Sequence, residues 1–66
     1  MKVYAVLFAV DYEGETLKGV FATKEEAVSF AKSQENFGKH DSEQYGVVEC
    51  ELGQPVDTFE NFEFVE

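Results

Sequence analysis

The chain has 66 residues, 14 acidic side chains against five lysines, no arginine and a formal net charge of −9. So few cations cannot displace counterions from phosphates, which excludes direct nucleic-acid binding and disfavours anionic membrane surfaces. The single cysteine, Cys50, excludes an internal disulfide and fits a reducing, cytoplasmic setting.

A chain of this length makes one domain, spanning residues 1–66. Such a domain buries only roughly 60% of the surface its unfolded form exposes. Its core supplies about 3–5 kcal/mol, so self-association or a partner is a natural further source of stability. Seven Phe and three Tyr speak against disorder. The charge is unevenly spread. Residues 1–32 hold five acids and four lysines, a net of −1, whereas residues 33–66 hold nine acids and Lys39 alone, a net of −8.

The first element is "KVYAVLFAV", Lys2 to Val10. It is too short to cross a bilayer, and the acidic "DYEGE" after it leaves no room for a signal-peptide cleavage site. Alternation puts Val3, Ala5, Leu7 and Ala9 on one side and Tyr4, Val6, Phe8 and Val10 on the other. Both sides are apolar. That pattern predicts an interior strand covered on both faces, or one whose second face meets a partner.

"DYEGE" carries Asp11, Glu13 and Glu15 around Gly14 and precedes a second strand-like run, "TLKGVFA", Thr16 to Ala22. Three carboxylates suggest a cation site. They lack the ligand number and spacing of a calcium loop, however, and acids with glycine are ordinary at a hairpin tip. The hairpin is the expected reading.

"ATKEEAVSFAKSQ" has Thr23 and Glu26 at capping-box spacing, with Ala27, Phe30 and Ala31 on one apolar stripe. A helix is predicted over 24–34. The polar "ENFGKHDSEQ" then forms a loop carrying His40 beside Asp41.

"YGVVECEL", residues 45–52, is the third predicted strand, with Val48, Cys50 and Leu52 on one face. Tyr45, Val47, Glu49 and Glu51 occupy the other face, which its charges turn toward solvent. Cys50, on the apolar side, is expected to be a small buried side chain. Pro55 in "GQP" ends the strand, and "VDTFENFEFVE" makes either an edge strand or a turn followed by a short one. The order ββαβ, with a fourth strand optional, predicts an α+β fold: a small antiparallel sheet of three to four strands with one helix on a face.

Chemistry is poorly provided for. Asp41 could orient the His40 imidazole, but nothing in the sequence brings the Cys50 thiol close to it, and no phosphate loop or paired histidines are present, so no enzyme, cofactor or metal is expected. Two other features remain. The acids of the distal half are either a solvated face or a lattice of carboxylates that imitates DNA phosphates in the basic groove of a partner. Phe59, Phe62 and Phe64, set among those acids, are expected to fill the core, with an apolar contact patch as the alternative.

The segments "KVYAVLF", "DYEGE" and "GVFATKEEA" resemble an uncharacterised family of short bacterial and bacteriophage proteins, over about half of the chain. The resemblance implies a compact ββαβ module with no catalytic residues to carry over. The expectation is a non-enzymatic acidic protein-interaction module, of the phage accessory or host-defence-inhibiting kind, that binds a basic protein. Its expected contact residues are Glu43, Glu49, Glu51, Asp57, Phe59, Glu60, Phe62 and Glu63. The alternatives are a structural homodimer built on the second sheet face, and a small cation-binding protein using the "DYEGE" turn.

Overall fold

A computed structural model describes residues 1–11, 13–39, 43–55 and 62–66. Its elements are β1 (Lys2–Val10), β2 (Gly14–Phe21), α1 (Lys24–Lys32), β3 (Glu43–Glu51) and β4 (Phe62–Phe64). The four strands form one sheet in the order β2-β1-β3-β4, antiparallel at every pairing. This is the α+β architecture that the pattern of elements predicts.

The β1–β2 hairpin turns where the acids and glycine stand. The amide of Glu13 donates to the Val10 carbonyl at 3.1 Å, and Gly14 takes φ 93°, a conformation that costs a side chain but not glycine. Further along, Val6 faces Gly19 while Leu7 faces Leu17, so Lys18 is an extra residue in β2. This bulge lets the Lys18 ammonium sit 5.6 Å from the centre of the Phe8 ring. A bulged, lysine-bearing edge is also a poor template for pairing with another strand.

Thr23 caps α1 from an extended conformation: its hydroxyl accepts from the Glu26 amide at 3.2 Å and donates to the Glu26 carboxylate at 3.1 Å. The helix ends at Lys32, two residues before the predicted limit. Ser33 Oγ donates to the Phe30 carbonyl at 2.6 Å and Gln34 Nε2 donates to it at 3.1 Å, so side chains end the backbone ladder.

The core lies between α1 and one face of the sheet. Ala27 and Ala31, a turn apart, are fully buried and let the helix approach Val6, Tyr45 and Val47 closely. Phe8 and Phe37 stack at tilted angles against Tyr45, and Phe21 meets Phe30. The buried Tyr45 hydroxyl donates to Asn36 Oδ1 at 2.7 Å, which satisfies the polar end of that ring.

Three expectations for β3 and β4 are corrected here. Tyr45 and Val47 do not face solvent with Glu49 and Glu51; the helix covers the first pair and is too short to reach the second. Phe64 is not a core residue, because β4 is the sheet edge and its ring lies on the face away from the helix. Cys50 is half-buried rather than enclosed, for it too lies on that far face.

Candidate interaction surface

Register decides which of the distal acids meet. Glu49 stands opposite Tyr4 and Glu51 opposite Lys2, while Glu63 of β4 stands opposite Val47. Glu49 and Glu63 are therefore diagonal neighbours on the helix side of the sheet, just past the N-terminus of α1. Together with Tyr4, Lys24 and Val47 they line a shallow cleft of about 220 Å³.

Each of these carboxylates is held by a cation of the same chain. Lys24 Nζ lies 2.7 Å from Glu63 and Lys2 Nζ 3.5 Å from Glu49, which also accepts from the Tyr4 hydroxyl at 3.3 Å. The terminal ammonium of Met1 lies 2.7 Å from Glu51. The hydrogen bond to Glu63, and then its charge, raise the Lys24 pKa above the ordinary 10.5. The stability that comes from the raised lysine pKa is present in full below 10.5 and is lost as pH rises through the raised value. All these groups are substantially exposed, so solvent screens the pairs and they add little to stability. They orient the carboxylates without committing them.

The other expected contact residues lie apart. Glu43, at the far end of β3 opposite Val10, is roughly 20 Å along the strand from Glu49. Phe62 points to the opposite face from Glu63, since neighbouring strand residues alternate. A single patch of acids and aromatics is accordingly not formed among the described residues. Asp57, Phe59 and Glu60 lie outside the described residues, as do His40 and Asp41. At the hairpin, Asp11, Glu13 and Glu15 do not converge: among the described residues no three acidic, histidine or cysteine side chains gather as metal ligands would.

Sequence reasoning missed Lys2, Tyr4 and Lys24 as neighbours of the acids. Nothing local in the sequence marks them; the antiparallel register of β1 on β3 and the seat of the helix do.

The fold and surface define a class: a small sheet-and-helix module with a cleft of paired carboxylates and lysines on one side and a largely uncharged sheet face on the other. The chain belongs to the family of a domain of unknown function, DUF7336, whose model matches residues 1–61. No curated protein and no solved structure matches it. No helix among the described residues is long and apolar enough to cross a membrane.

Proposed function

We propose that this protein is a non-enzymatic acidic interaction module that binds a basic protein. The observation that supports it best is the cleft of Tyr4, Val47, Glu49 and Glu63, which Lys24 of the same chain already occupies in part. A lysine or arginine from a partner finds there what Lys24 finds. By displacing Lys24 and Lys2 from their exposed pairs it gains two carboxylates for its charge, with an aromatic ring for its face and an apolar floor for its stem. The net charge steers such a partner and repels nucleic acid and anionic lipid.

The finer reading makes the partner a nucleic-acid-binding protein of the host cytoplasm, and this chain a phage accessory or host-defence-inhibiting factor. Glu49 and Glu51 stand about 7 Å apart along β3, near the spacing of successive phosphates. The resemblance of the N-terminal half to short bacterial and phage proteins supports the same reading.

Affinity capture from a bacterial lysate at low and high salt tests it. A basic protein retained at low salt, released at high salt and lost with the double variant Glu49→Gln and Glu63→Gln is the expected outcome. Retention that ignores both salt and the double variant overturns it.

A further inference from the structure

No residue from Phe62 to Glu66 is buried. Phe62 and Val65 are half-buried, and the Phe64 ring is 56% exposed. Only Phe62, Glu63 and Phe64 pair with the nine-residue β3, and the Val65 amide adds one bond to the Tyr45 carbonyl at 2.9 Å. The helix packs across β1, β2 and β3, but between it and β4 lies a crevice of about 210 Å³ that Val28, Lys32, Glu63 and Val65 help to line. Among the described residues, Lys24 alone bridges that crevice with an ion pair, to Glu63, and both of its side chains are at least half exposed. Solvent screens such a pair, so it holds β4 weakly.

The docked position is nonetheless well defined. The Phe62 ring rests in the notch that the missing side chain of Gly46 leaves on β3, and Val65 touches the core at its margin. Beneath the strand lie Tyr45, Gly46, Val47 and Val48, the buried stretch of β3. β4 therefore has one seat and little to keep it there. Short edge elements with few buried side chains belong to the low-stability end of a fold, where local opening precedes global unfolding.

Where β4 sits decides what the cleft contains. Tyr4 comes from β1, Val47 and Glu49 from β3, Lys24 from α1 and Glu63 from β4. When β4 leaves its seat, Glu49 stays with the sheet and Glu63 does not. The second carboxylate of the cleft is thus supplied by the least anchored element.

We infer that β4 is a strap that opens while the rest of the fold holds, and that its closure assembles the cleft for a partner's cation. The inference rests on the reading of that cleft as a cation site and adds its regulation. Closure brings Glu63 diagonally beside Glu49, two like charges, so a cation between them favours the closed form. Lys24 supplies that cation within the chain, and a basic partner supplies it in place of Lys24. A ligand that binds only the closed form shifts the strap toward closure by as much as it prefers that form.

Hydrogen exchange of the full chain, followed by NMR at low urea concentrations, tests this. The Val65 amide is expected to be protected roughly tenfold less than that of Val6 in the central strand, or weaker still, and to respond little to urea, whereas Val6 responds steeply. The probe for closure is the capped tripeptide acetyl-Gly-Arg-Gly-amide, compared with sodium chloride at the same concentration. It is expected to shift the amide resonances of Tyr4 and Glu49 and to slow exchange at Val65 about threefold. Lys24→Gln leaves both carboxylates in place, so it is expected to speed exchange at Val65 in the free chain and to enlarge the slowing by the peptide. Equal protection and equal urea dependence at Val65 and Val6 overturn the inference, because β4 then unfolds only with the whole. Shifts at Tyr4 and Glu49 without slowing at Val65 overturn it too, and leave the cation site standing. Local opening of β4 with no shift at Tyr4 or Glu49 overturns the cation site, and the coupling of closure to it.

Discussion

Gly46 shows how one residue joins two elements. A side chain there would occupy the space of the Phe62 ring, which rests on the bare backbone of β3. Gly46→Ala must move that ring or bend the strand, and overpacking of this kind costs about 1–3 kcal/mol. Thermal unfolding is expected to show that loss, together with loosening of β4 visible as faster amide exchange at Val65, whose amide donates to the Tyr45 carbonyl. An unchanged melting temperature would mean that the ring does not depend on the glycine. The sequence "YGVV" carries no sign of this role, because the need for glycine comes from an aromatic ring sixteen positions later.

Among the elements, α1 was the most legible. Its cap, its alanine stripe and its start at Lys24 are all local signals, each readable within one or two turns. The Thr23 side chain satisfies an amide that no other described group serves, so Thr23→Ala is expected to lower unfolding free energy by about 1 kcal/mol in chemical denaturation, with Thr23→Ser restoring most of it. If the alanine variant is neutral, sheet packing alone holds the first turn. β1 was equally plain as an apolar strand, but its alternation left open which side the helix takes. That choice falls to Tyr4, Val6 and Phe8, the larger set, because the volume they offer fills the space around two alanines of the helix. The smaller set, Ala5 and Ala9 with Leu7, is left to the far face. β3 misled for a related reason: alternation gives the faces of a strand, not how far along it a nine-residue helix extends.

For the whole molecule, charge and size act together. Fourteen acids on a body of 11.3 Å radius of gyration repel one another, and the three exposed ion pairs among the described residues offset little of that. Added sodium chloride is therefore expected to raise the melting temperature by several degrees, about 4–8 °C for each kcal/mol of repulsion screened. A fall with salt would show that the ion pairs outweigh the repulsion. By itself the sequence determined the class of fold, the helix with its cap and the hairpin turn. These follow from short-range spacing and from composition. The tertiary structure alone decided which acids share a cleft, which cations hold them, and that the aromatics of β4 lie on the other side. Those are matters of register between strands some forty residues apart, and register is set by the packing of the whole sheet against its helix.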